Sequence, residues 1–115
     1  MAQKVKDIVR LTDANFTAQS IQNHRGNSLV IFSADWCPYC VSFFNNWEEY
    51  GKIDNTLIAD VTDVDSKLWD DFDLNVIPSM AIFIDGKLEK RWNGLLGRGL
   101  TINQIEDVNL FFSKF

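Results

Sequence analysis

The run Leu29-Val30-Ile31-Phe32 constrains the fold most: four apolar residues in a row, between the turn-rich HRGNS (24–28) and the short turn SADW (33–36). An unbroken apolar run of strand length fits a central strand covered on both faces, which calls for further layers above and below a sheet. The rest of the chain offers them. DIVRL (7–11) reads as a short alternating strand, and Thr12 opens a helical segment over 13–23. From Cys37 to Tyr50 the apolar positions Cys40, Phe43, Phe44, Trp47 and Tyr50 recur at helical spacing, with Gly51 as the stop. TLIADV (56–61) reads as a strand, and Ser66 to Phe72 as a short helix. SMAIFI (79–84) and KLEKRW (87–92) flank Asp85-Gly86, the strongest hairpin signal in the chain. Thr101 with Gln104 forms a capping-box pattern ahead of the apolar face Ile102, Ile105, Val108, Phe111 and Phe112. The order β-α-β-α-β-α-β-β-α predicts an α/β domain. Strands joined through helices pair parallel, the closing hairpin pairs antiparallel, and helices cover both faces of a mixed sheet.

Composition narrows the function. At 115 residues the chain makes one domain, 1–115, with no linker, repeat or low-complexity stretch. A formal net charge of −5 without a Lys/Arg cluster argues against a nucleic-acid partner. No apolar run reaches membrane-spanning length, and MAQKVKDIVRLTD holds no apolar signal core, so the expected location is cytoplasmic, with no membrane partner. In that compartment structural disulfides are rare, and a close cysteine pair is more often catalytic or metal-binding.

The chain has two cysteines, Cys37 and Cys40, both in SADWCPYCVSFF. They could be inert core residues, half of a metal site, or a redox dithiol. A helix start beside Trp36 and Pro38 is a poor core site. Zinc takes four protein ligands, or three and a water, and only the single His24, placed in a turn, accompanies the two thiols. For the dithiol the geometry is favourable. Cys37 falls at the first turn of a helix, where unpaired N–H groups and the helix dipole favour a thiolate. Pro38 suits the first helical position. Cys40 lies one turn deeper on the same face, within reach of Cys37. The expected roles are an exposed nucleophile, Cys37, and a partly buried resolver, Cys40. The Asp60, Asp63, Asp65, Asp70, Asp71 and Asp73 group reads as a solvated acidic face, and Trp47, Trp69 and Trp92 as packing.

Over nearly its whole length the chain resembles thioredoxin. VRLTDANF is similar to that family's first strand and helix start, LVIFSADWCPYC to its central strand and active-site turn, NVIPSMAIFIDGKL to its cis-proline loop and hairpin, and WNGLL to its glycine loop. C-x-x-C beside a βαβ pattern is itself a recognised signature of the family. The resemblance implies a thioredoxin fold, with a central mixed sheet of about five strands flanked by about four helices. It implies a cis bond at Ile77-Pro78 and an apolar substrate rim of Trp36, Ile77, Pro78 and the Gly94 region around Cys37. It also implies a monomer without a bound cofactor other than the redox-active Cys37–Cys40 disulfide. Its partners would be protein disulfides, with a thiol reductase or the glutathione system as electron donor. The intervening Pro38-Tyr39 is the pair typical of glutaredoxins, although no Gly-Gly-x-Asp follows the proline strand. Ser33 stands where thioredoxins carry a second tryptophan. Ile31 and Ala59 replace a linked buried aspartate and lysine. The function expected is thiol–disulfide oxidoreductase. Its alternatives are a thioredoxin-like protein-binding module and glutathione-linked, glutaredoxin-like activity.

Overall fold

The computed structural model describes residues 4–114. Asn27–Ser33 forms the central strand β4, with Leu29, Val30, Ile31 and Phe32 all fully buried. On one side it pairs parallel with β5 (Thr56–Asp60), Val30 opposite Leu57; on the other it pairs antiparallel with β6 (Ser79–Ile84), Val30 opposite Ala81. Beyond these lie β1 (Val9–Leu11), parallel to β5, and β7 (Lys87–Trp92), antiparallel to β6. Pleating sends alternate residues of β4 to opposite faces. Leu29 and Ile31 meet Phe43 and Trp47 of α1 (Pro38–Tyr50) and Ile105 and Val108 of α3 (Ile102–Phe112). Val30 and Phe32 meet Leu68 of α2 (Leu68–Asp71), with Phe72 and Phe83 beside it. Each fully buried aliphatic or aromatic side chain here contributes roughly 1.5–3 kcal/mol, so the unbroken run is what holds the two layers to the sheet. The capping box at Thr101 and Gln104 starts α3 as the sequence predicts.

The segment 13–23 is not a helix. Thr12 caps a single 3-10 turn, Asp13–Asn15, and the chain then makes a small antiparallel hairpin of β2 (Phe16–Thr17) and β3 (Ser20–Ile21). Phe16 and Ile21 are cross-strand partners and both enter the core, while Ala18 turns the chain with φ at 50°. A spacing of five between the buried residues suits a hairpin and not a 3.6-residue repeat. The sheet therefore has seven strands, in the order β1-β5-β4-β6-β7-β3-β2, where about five are expected. Three α-helices stand where about four are expected among the described residues. None of these helices is long and apolar enough to cross a membrane.

Ile31 and Ala59 also differ from expectation, because they do not form one linked site. Ile31 lies with Phe43 and Trp47 under α1, whereas Ala59 packs with Cys37 and Cys40 on the other face. In the ladder Ala59 sits opposite Phe32, and Ile31 opposite Ile58.

Candidate active site

β4 ends at Ser33, and the turn 34–37 delivers Cys37 to the N-cap of α1, with its N–H on the Ala34 carbonyl at 3.3 Å. An N-cap side chain normally accepts a bond from one of the helix's free N–H groups. Here the acceptor is sulfur: Cys37 Sγ receives the Cys40 N–H at 3.1 Å. Pro38 takes the first helical position, where a missing N–H costs nothing. The Cys37 thiol also faces the Ile77 carbonyl oxygen at 3.7 Å, and the Ile77–Pro78 peptide bond is cis. The two thiols are free.

Cys37 is not at an exposed helix end. It is 4% exposed and Cys40 is 1% exposed, because the strand end, Ile77 and the rim around them close over both sulfurs. What keeps Cys37 reachable is an open groove of about 410 Å³ whose floor it forms, lined by Trp36, Tyr39, Trp69, Val76, Ile77 and Leu96 among others. Cys40 does not line it. Burial pushes the Cys40 thiol up to about 12; its hydrogen bond with Cys37 adds to this, and the Ala34 backbone and Ser33 hydroxyl pull it partly back.

Trp36 is 53% exposed, yet its ring is fixed, with Nε1–H donating to the Thr62 carbonyl at 2.9 Å. Thr62 in turn bonds the Asp35 N–H at 2.9 Å and the Asp60 carboxylate. Burial pushes the Asp60 carboxyl up, but the two bonds from Thr62 and the nearby Arg10 outweigh it and hold the group below the usual carboxylate range. Trp69, read as packing, stacks on Trp36 with ring centres 6.3 Å apart and planes 13° from parallel.

Of the expected site residues, Trp36, Cys37, Pro38, Tyr39 and Ile77 line the groove, while Pro78 follows Ile77 across the cis bond and is not part of the lining. Gly94 does not. It supports the proline: its N–H donates to Ser79 Oγ at 3.0 Å, and a Cβ there would collide with the Pro78 carbonyl. The far rim comes from Leu96 and Gly97, with Gly99 against Tyr39 and Pro78. The glycine spacing in WNGLLGRGL marks a loop that turns through positive φ, at 77° for Gly97 and 70° for Gly99, a signal that reading Gly94 alone passes over. His24 pairs with Ser28 Oγ at 2.7 Å, and no three acidic, histidine or cysteine side chains among the described residues come together as a metal site.

Comparison with known proteins agrees with this geometry. The thioredoxin family model matches residues 7–106. Protein disulfide-isomerase 2-3 of Arabidopsis thaliana is 29% identical over 90 residues, covering 76% of this chain and 20% of that protein. Protein disulfide-isomerase like 2-2 of the same plant is 33% identical over 86 residues, covering 70% of this chain and 18% of that protein. The chain thus spans about a fifth of the length of these curated relatives. Among solved structures, thioredoxin f from spinach chloroplast superposes with a TM-score of 0.68 at 12% identity, covering 98% of this chain and 99% of that one. A mutant thioredoxin from Halobacterium salinarum gives 0.59 at 16% identity, covering 93% of each chain.

Proposed function

The chain belongs to the thioredoxin family, and on that premise we propose that it is a thiol–disulfide oxidoreductase acting on disulfides in proteins through Cys37 and Cys40. One observation carries the reading: Cys37 Sγ is held at a helix start by the Cys40 N–H at 3.1 Å, on the floor of an open groove. A backbone N–H aimed at sulfur stabilises the thiolate form, and the groove lets a disulfide reach it.

As a thiolate, Cys37 attacks one sulfur of the substrate disulfide. A Cys37–substrate bond forms, the substrate's own S–S bond breaks, and the departing sulfur leaves as a thiolate that takes up a proton. Cys40 then gives up its proton and attacks Cys37 Sγ. The Cys37–Cys40 disulfide forms, the second substrate sulfur is released, and two electrons have passed from the dithiol to the substrate. A thiol reductase or the glutathione system returns the pair to the reduced state in the cytoplasm, and the same steps reversed introduce disulfides. The names of the Arabidopsis relatives accord with exchange in either direction.

The test is mechanism-based trapping. Cys40→Ser accumulates mixed disulfides with protein substrates, while Cys37→Ser traps almost none and loses reduction of a protein disulfide. Equal trapping by both variants, or activity retained in Cys37→Ser, would overturn the assignment.

A further inference from the structure

We propose that the groove selects polypeptide disulfides in which a bulky apolar residue, aromatic above all, flanks the cysteine and a lysine or arginine lies beyond it on the tryptophan side. The inference rests on the dithiol reading and names the substrate class it serves.

The apolar half follows from two indoles. Trp36 and Trp69 stack, and both donate their ring N–H to one loop, Trp36 to the Thr62 carbonyl at 2.9 Å and Trp69 to the Asp63 carbonyl at 3.2 Å. Their polar ends are thereby satisfied and their orientation set. What they offer the groove is carbon surface, held in place before any ligand arrives. Across from them Leu96 is 90% exposed, and Val76 and Ile77 complete the walls. A space of about 410 Å³ bounded by rigid rings and an exposed leucine has room for an aromatic side chain next to the sulfur on Cys37. Preformed rings lose little entropy on contact, which favours binding there.

The basic half follows from charge complementarity across the tryptophan wall. The loop that anchors both indoles also borders an adjoining concavity of about 450 Å³, lined by the carboxylates of Asp13, Asp35, Asp60 and Asp63 with Thr62 and Ser66. Among the described residues Arg10 is the cation paired there, 3.5 Å from Asp35 and 3.4 Å from Asp60, which leaves Asp13 and Asp63 without an ion pair and acidic groups in excess. Asp13 and Asp63 bond the N–H groups of Lys67 and Asp65, which orients the carboxylates without neutralising them. Arg98 lies on the opposite side, in the loop that carries Leu96. The groove is therefore polarised, negative beyond the tryptophans, and an extended peptide with a cationic residue on that side is the occupant it fits.

The experiment measures kcat/KM of the intact reduced protein for symmetric disulfides of short peptides. Each peptide has Phe or Ala beside its cysteine and Lys or Glu beyond, built on the N-terminal and on the C-terminal side. In the favoured direction Phe is preferred over Ala about tenfold. Lys is preferred over Glu by about three- to fivefold at low salt, and this preference shrinks at high salt while that for Phe stays. Trp69→Ala collapses the Phe/Ala ratio, and Trp69→Phe restores part of it. Asp35→Asn combined with Asp63→Asn collapses the Lys/Glu ratio. Bis(2-hydroxyethyl) disulfide separates the two levels of inference. If the wild-type protein reduces it yet both peptide ratios stay near one, the substrate class is wrong and the dithiol reading stands. If neither this small disulfide nor any of the peptide disulfides is reduced, the dithiol reading fails and the selection fails with it.

Discussion

The proton on Cys40 should set the pace of the second half of exchange. Burial is the largest cause that drives this thiol up to about 12, followed by its hydrogen bond with Cys37. A thiol titrating there is ionised in only about one molecule in 10⁵ at neutral pH. Once a substrate is attached, Cys37 is a neutral disulfide sulfur, and the contribution of its charge disappears. Burial remains, and the Ala34 backbone and Ser33 hydroxyl still favour the thiolate. Release from the mixed disulfide should therefore quicken about tenfold per pH unit between about pH 6 and pH 9, following the thiolate fraction. Ser33→Ala, which deletes the hydroxyl beside the thiol, should slow release by about three- to tenfold at any one pH in that range. The mixed disulfide can be prepared at about pH 4, where resolution stalls for want of thiolate, and followed after a rapid pH jump by release of a coloured aromatic thiol. Fast release that is flat with pH would refute the reasoning, because the Cys40 proton would then not be the barrier.

The same group predicts an alkaline limit. The folded thiol holds its proton up to about 12 against an ordinary 9.0, so its stabilising contribution is complete below about pH 9 and falls by up to about 1.4 kcal/mol per unit as pH rises through that window. Denaturant unfolding should show this slope, and Cys40→Ala should remove it. At the acid end the depressed Asp60 carboxyl contributes stability that is present above the ordinary value near 3.8 and lost as pH falls below it, and Asp60→Asn should flatten that limb. Gly94→Ala forces a methyl into the Pro78 carbonyl and should cost about 1–3 kcal/mol in unfolding while lowering exchange activity. Thr101→Ala removes the side-chain cap on the Gln104 N–H and should cost about 1 kcal/mol without changing the exchange rate.

The parts legible in the sequence are those fixed by short-range physics. The β4 run, the Asp85-Gly86 hairpin, the Thr101 cap and the placement of Cys37, Pro38 and Cys40 each need only a few neighbouring residues to specify them. The parts that were not legible depend on distant partners. Phe16 and Ile21 form a hairpin because β7 lies beside them, with Ser20 opposite Lys87. Cys37 is buried by Ile77, forty residues away in sequence, and local polarity at a helix start carries no trace of that cover. Trp69 reads as packing because its ring partner, Trp36, is reached only through the fold. Ile31 and Ala59 look linked when mapped by resemblance, but the pleat sends them to opposite layers.

The outer edge of β7 has a consequence for self-association. β3 touches this strand only at Lys87, so Leu88 to Trp92 have no strand partner on that side among the described residues. An open ladder of this length is a template on which a second molecule could add its own strand. In KLEKRW, however, four of the six residues are charged. Arg91 turns its guanidinium back onto the Phe72 and Asp73 carbonyls, and the Lys90 ammonium lies over the Phe111 ring at 4.7 Å. A register shift at Ile82/Phe83 irregularly breaks the pairing beneath. Any strand joining here would have to strip water from those charges and dislodge the arginine. The polarity of β7 thus opposes strand addition along this unpaired border, and replacing Glu89 and Lys90 by valine should open the way to edge-to-edge polymerisation.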